Sequence, residues 1–133
     1  INIPYNDGYF DCIICADVLE HLIDPWQLLT RLKLKLNDEG CILASIPNIA
    51  NYKIIKMLKK EMWHYEDAGI MDRTHLRFFT KSTIIELFVQ SDLTPIIVDK
   101  IMSGNKYRQL YHKIINNDIC VSQFIIKATK LVI

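Results

Sequence analysis

The stretch Phe10-Asp11-Cys12-Ile13-Ile14-Cys15-Ala16 is almost wholly apolar, and Asp17, Glu20 and His21 follow it at once. A short continuous apolar run of this kind reads as a β-strand covered on both faces. A polar cluster directly after it is a further constraint. In open α/β sheets, ligands bind in the crevice beyond the carboxyl ends of the strands. The chain is therefore expected to fold around this strand and to carry its chemistry at the strand's end.

The residues that follow complete a unit around that strand. Asp24-Pro25 is a helix start, with Asp as the N-cap and Pro at the first helical position. Trp26, Leu28, Leu29, Leu32 and Leu36 then recur at helical spacing, with Arg31, Lys33 and Lys35 between them. Asn37-Asp38-Glu39-Gly40 reads as a turn, and Cys41-Ile42-Leu43-Ala44-Ser45-Ile46 as a second buried strand ended by Pro47. Strand, helix and strand with short links form a βαβ unit, which implies parallel strands and a right-handed crossover.

Beyond it, residues 52–60 are helical in pattern, with Ile54, Ile55 and Leu58 on one side and four lysines elsewhere. Residues 61–79 have no clean period, and a loop of that length inside a compact domain is usually a lid or binding loop. Thr80 is placed to cap a helix over 81–90. A strand over 94–101, a Ser103-Gly104-Asn105 turn, a helix over 106–115 ended by Asn116-Asn117-Asp118, and a strand over 119–128 complete the expected order. The helix would set Tyr107, Leu110, Tyr111 and Ile114 on one face.

The chain of 133 residues is long enough for a single domain with a real core. Half of it is hydrophobic and 23% is charged, which argues against disorder. A formal net charge of +1 gives no electrostatic drive toward nucleic acid or an anionic membrane. No apolar run approaches the ~20 residues of a membrane-spanning helix. Cys12 and Cys15 form a C-x-x-C, but both lie in the apolar strand, and an odd separation sends them to opposite faces. With no second cysteine or histidine pair in register for zinc, all four cysteines are expected to be reduced core residues of a cytoplasmic protein.

Three stretches carry a family resemblance. Phe10-Asp11-x-Ile13-Ile14-x-Ala16-Asp17-Val18-Leu19-Glu20-His21-Leu22 resembles the fourth-strand motif of class I S-adenosylmethionine-dependent methyltransferases. Ser45-Ile46-Pro47-Asn48 and Asp72-Arg73-Thr74-His75-Leu76-Arg77-Phe78-Phe79 match the same family in the same order. The resemblance implies an α/β fold: the C-terminal half of a Rossmann-like seven-stranded sheet, strands four to seven, with the last strand antiparallel beside the sixth. The family's glycine-rich loop has no counterpart, since the only glycines are Gly8, Gly40, Gly69 and Gly104. The first residue is Ile, so the chain reads as a domain truncated at its N-terminal side. It is expected to hold the cofactor weakly by itself and to be weakly active or inactive alone.

The resemblance also implies site residues. Ala16, Asp17, Val18 and His21 would line the cofactor, S-adenosylmethionine. His21 and His75 would be the catalytic bases, since imidazole titrates at about pH 6.5. Asn48, Arg73 and His75 would meet a small-molecule substrate, and two histidines at the cleft point to oxygen as the acceptor atom. Structural readings stand beside these: Glu20-His21 as a helix-start pair bonded to backbone, Asn48 as a turn cap, and Asp72 pairing with an arginine to fix its loop. Trp63, Tyr65, Phe78 and Phe79 form either an acceptor pocket or packing. A metal held by Asp72, His75 and His21 is not required by the family reading, and none is expected. A rival reading is a non-catalytic methyltransferase-like module. Its open edge at the Phe10 strand would pair two copies into a homodimer.

Overall fold

A computed structural model describes residues 3–114 and 117–131. The expected end of the fourth helix at Ile115 and Asn116 lies outside those residues. The strands are β1 (Phe10–Ala16), β2 (Leu36–Pro47), β3 (Leu93–Met102) and β4 (Val121–Lys130). The helices are α1 (Pro25–Lys35), α2 (Tyr52–Leu58), α3 (Lys81–Val89) and α4 (Lys106–Ile114), with single 3-10 turns at Leu19–His21 and Asp118–Cys120.

The sheet runs β1-β2-β4-β3. β1 and β2 are parallel, while β4 lies antiparallel between β2 and β3. The last strand thus inserts between β2 and β3, antiparallel to both.

Local chemistry sets the helix starts. Asp24 accepts the Gln27 N–H at 2.9 Å ahead of Pro25. Thr80 and Thr83 exchange side-chain and backbone bonds in a capping box at the start of α3. β2 is longer than its sequence pattern suggests. Leu36 already pairs with Phe10, the next pairing is Cys12 with Cys41, and residues 37–40 bulge between them. Asn37 Oδ1 accepts the Glu39 N–H at 3.1 Å there, so the turn chemistry is present but inside the strand. Gly40 is required, because a Cβ would stand 2.9 Å from the Phe10 carbonyl oxygen.

The core lies on one face of the sheet. Ile42, Ala44 and Ile46 of β2 alternate inward with Phe124, Ile126 and Ala128 of β4. Leu29 and Leu32 of α1 and Ile84, Leu87 and Phe88 of α3 close over them. The opposite face is open. This corrects the expectation that β1 is covered on both sides: only Cys15 of β1 is buried, and Ile14 is 71% exposed. Pattern alone could not separate a strand with two covered faces from one with a bare face. The cysteine expectation is corrected for the same reason. All four are free thiols, but Cys12 is exposed and sits 3.9 Å from Cys41 on the neighbouring strand. The expected apolar stripe of α4 also faces outward, with Tyr107, Leu110, Tyr111 and Ile114 exposed.

Candidate active site

The site begins where β1 ends. Asp17 adopts φ 51°, a left-handed conformation that aspartate tolerates better than most residues. That turn lifts the chain out of the sheet. It is held by β2: the Asp17 N–H donates to Ser45 Oγ at 3.0 Å, and the Ser45 hydroxyl donates to Asp17 Oδ1 at 3.2 Å. Gln123 of β4 donates its side-chain amide to the same Oδ1. The 3-10 turn that follows buries Leu19 and Glu20 and leaves His21 partly exposed at the rim.

The irregular segment 61–79 forms the other wall. Met71 is buried, and the Glu66 and Arg73 amides donate to the Met71 and Glu66 carbonyls at 2.8 and 3.0 Å. The segment is tied to the 3-10 turn by the Leu76 and Arg77 amides, which both donate to the Glu20 carbonyl at 2.8 and 2.9 Å. His75 is buried, and its Nδ1–H donates to the Ile70 carbonyl at 3.1 Å. His21 Nδ1 lies 3.2 Å from the Thr74 carbonyl and 3.1 Å from Thr74 Oγ1. The Thr74 hydroxyl spends its proton on Asp72 at 2.6 Å, so His21 Nδ1 is the donor. Both imidazoles therefore carry a proton on Nδ1, and in the neutral ring the lone pair is on Nε2. Their rings meet edge to face, 4.7 Å apart.

The two walls enclose a cleft of about 310 Å³, lined among others by Asp17, Glu20, His21, Asp72, His75 and Gln123. It opens past the carboxyl ends of the parallel pair β1 and β2, the position that doubly wound folds use for ligands. Glu20 is its anomaly. It is 1% exposed, and neither carboxylate oxygen has a hydrogen-bond partner. His75 Nε2 is 4.0 Å away, too far for a hydrogen bond. Burial pushes the Glu20 carboxyl from its ordinary 4.5 up to about 7; its own nearby backbone N–H and the charge of the His21 imidazole oppose this, and the charge of Asp17 adds to it. Asp72 moves the other way. The Thr74 hydroxyl and N–H hold it below the ordinary carboxylate range, and His75 and His21 add to that.

The sequence-derived residues divide sharply. Asp17, His21 and His75 converge on the cleft. Ala16 and Val18 do not line it; Val18 packs against the core instead. Asn48 is a correction. It is buried with its amide committed to the Val121 carbonyl at 3.0 Å and its Oδ1 accepting the Ala50 N–H at 3.1 Å, so the turn-cap alternative describes it. Arg73 points to neither the cleft nor Asp72: it pairs with Asp67 at 2.5 Å on the exposed loop. Arg77 bonds the Ile23 carbonyl at 3.1 Å and lies over Trp26. The expected Asp72–arginine knot is thus replaced by an Asp72–Thr74–His21 chain. Trp63 packs on Tyr65 and Phe78, while Phe79 joins the core. Sequence reasoning placed Glu20 in the polar cluster after the strand but gave it no catalytic or binding role, and it left Gln123 out. The Glu20 signal was its place beside His21, but nothing in sequence could bring Gln123 across the chain to Asp17.

A parallel pair extended by an inserted antiparallel strand, with a carboxylate-lined cleft at the strand ends, is a Rossmann-like α/β arrangement. The family described as methyltransferase domain matches residues 1–97, and the chain belongs to it. No curated protein sequence matches the chain. Among solved structures, the YcgJ protein of Bacillus subtilis aligns with a TM-score of 0.66 and 16% identity, over 98% of this chain and 68% of that one. A SAM-dependent methyltransferase of Thermotoga maritima aligns with a TM-score of 0.68 and 15% identity, over 98% of this chain and 60% of that one. The 1,6-didemethyltoxoflavin-N1-methyltransferase of Burkholderia thailandensis, solved with S-adenosylhomocysteine, gives 0.57 and 15%, over 95% of this chain and 46% of that one. The chain thus spans between roughly half and two thirds of these relatives' lengths.

Proposed function

We propose that this chain carries strands four to seven of a methyltransferase sheet and transfers the methyl group of S-adenosylmethionine to a hydroxyl of a small molecule. The observation that carries the reading is the pair of imidazoles with free Nε2 lone pairs at the rim of a cleft containing Asp17, Glu20 and Asp72.

The donor set fits the cofactor. Three carboxylates in one cleft favour a cationic ligand over a neutral one. Asp17 keeps one carboxylate oxygen beyond the bonds from Ser45 and Gln123, and with His21 it would hold the cofactor. When bound, S-adenosylmethionine supplies a methyl made electrophilic by its sulfonium. The residues of the chain do the rest: the loop 61–79 and the 3-10 turn fix the acceptor's approach, and an imidazole Nε2 accepts the hydroxyl proton. Most of the rate gain in such a transfer comes from orientation, with the base adding to it.

Calorimetric titration with S-adenosylmethionine and S-adenosylhomocysteine tests this. One-to-one binding, tighter for the charged cofactor and about tenfold weaker in Asp17→Asn, is the expected result. A folded protein that binds neither ligand, at concentrations high enough to register weak binding, would sink the reading.

A second reading has its own observation. Among the described residues β1 pairs only with β2, and Ile14 on it is 71% exposed. Free strand edges of this kind invite pairing with another chain, so a non-catalytic module that dimerises through β1 is the alternative. Sedimentation equilibrium decides it: a monomer at all concentrations removes this reading.

A further inference from the structure

We propose that Glu20, His21 and His75 form a binding site for a divalent first-row transition cation such as Zn2+, open on one side to the cleft. As to its role, the proposal rests on the methyltransferase reading. As a site, it stands on geometry alone.

The first support is the arrangement of donors. One ligand atom from each of the three residues lies within 4.8 Å of the others. Ligands about 2.1 Å from a shared ion stand roughly 3 to 4 Å apart, so side-chain rotations of about an ångström bring them onto one ion. The second support is the state of each imidazole. A metal-ligating histidine characteristically donates its other ring N–H to a carbonyl or similar group, which fixes the tautomer and aims the lone pair. His75 does this to the Ile70 carbonyl and His21 to Thr74. Thr74 is in turn anchored by Asp72, whose charge lies beside both histidines.

The third support is independent of the other two. Glu20 is buried, lines the cleft, and has neither carboxylate oxygen partnered. A buried carboxylate is costly unless it is paired or coordinates a metal. Among the described residues no lysine or arginine lines this cleft, so a cation between the Glu20 carboxylate and the two imidazoles is the partner the geometry offers. Among the described residues, the buried Asn48, Asn51 and Ser91 all have hydrogen bonds, and the one other buried side-chain nitrogen or oxygen without a partner is the uncharged Trp26 Nε1.

Two imidazoles and one carboxylate select for a transition ion. Mg2+ and Ca2+ prefer oxygen-only shells, whereas imidazole suits Zn2+, Fe2+, Ni2+ or Cu2+. Three protein ligands leave a position open, as catalytic zinc sites do. An ion there would acidify an acceptor hydroxyl, and so do the work otherwise given to a histidine base.

The test is metal binding, read without activity. Zn2+ is titrated in competition with a chromophoric chelator, and Co2+ is followed by its visible d–d bands. One ion per chain is expected, at least about a hundredfold weaker in Glu20→Gln and His75→Gln. Affinity should be unchanged in His64→Gln, which lies outside the cleft, and in Cys12→Ser, which removes the exposed thiol beside Cys41. The Co2+ spectrum of the unsubstituted protein covers the case of a variant that fails to fold: nitrogen and oxygen donors give no thiolate charge-transfer band. No binding, binding indifferent to Glu20 and His75, or a thiolate band would each overturn the proposal. S-adenosylhomocysteine binding without metal binding would defeat the metal site alone. Metal binding without S-adenosylhomocysteine binding would defeat only the methyltransferase reading.

Discussion

Asn51 and Glu20 are both buried polar side chains, at 0% and 1% exposure, yet their surroundings are opposite. Asn51 caps α2 by accepting the Lys53 N–H at 3.0 Å, and its amide donates to Ser103 Oγ and the Val121 carbonyl, each at 2.9 Å. Around it Asn48 bonds the same Val121 carbonyl, and Asp118 is bridged by Lys81 and Lys100 at 2.8 and 2.6 Å. This region stitches the β2 exit to the start of β4, and its buried polar groups are satisfied. Across the sheet end, Glu20 is buried with nothing bonded to its carboxylate. A satisfied buried network stabilises and specifies a fold; an unsatisfied one is tolerated where it has another task. By that criterion the Asn51 region is structural and the Glu20 region is the candidate site.

The contrast makes predictions of opposite sign. The largest is at Asn51. Asn51→Ala removes a cap and strands its partners, and should cost about 3 kcal/mol, read as a drop in the urea midpoint at unchanged slope. A variant as stable as the parent would erase the distinction between the regions.

Glu20→Gln should do the reverse in the presence of EDTA. A carboxyl raised from 4.5 to about 7 carries a penalty of about 3 kcal/mol when ionised. Because the folded value lies above the unfolded one, stability is intact below pH 4.5 and falls as pH rises toward and through 7. The amide, still polar, should recover about 2 kcal/mol at pH 8 and almost nothing at pH 4.5. Thermal melts at the two pH values check this, and equal effects at both would show that ionisation of Glu20 is not the cause. Saturating Zn2+ should shrink the gain, since the cation partners the wild-type carboxylate.

The smallest effect belongs to Asp118. Burial opposes its ionisation, but Lys100 and Lys81 outweigh that and hold it below its ordinary 3.8. Its contribution is therefore present above about pH 4 and lost as pH falls through the folded value. Asp118→Asn should cost about 0.5 to 1 kcal/mol at pH 7, since the lysines remain partly exposed. Its melting temperature should converge with the parent's in acid. A loss as large as that of Asn51→Ala would mean that the bridges are stronger than solvent screening allows.

Much of the scaffold was legible because its signals are local. The β1 run, the Asp24-Pro25 start of α1, the Thr80 cap of α3 and the strand near Pro95 each depend on neighbours a few residues apart, and each element stands where the pattern put it. The site was legible only in part. Asp17, His21 and His75 were named from motifs and do meet. Asn48 and Arg73 came from the same motifs and turn away, because a motif fixes residue type and not the direction of a side chain. The buried carboxylate of Glu20 was readable as a residue but not as a problem, since burial depends on Leu76, Arg77 and the loop folded against it.

The sequence by itself determined the periods, caps and breaks, and through three spaced motifs the family. Those are short-range properties, set by backbone geometry and the alternation of apolar residues. The tertiary structure alone decided that one face of β1 stays bare, that Gln123 reaches Asp17 across 106 positions, and that two histidines 54 positions apart meet edge to face. These follow from how the sheet order and the 61–79 loop fold remote segments together, and nothing in the linear order of residues encodes a distance between side chains.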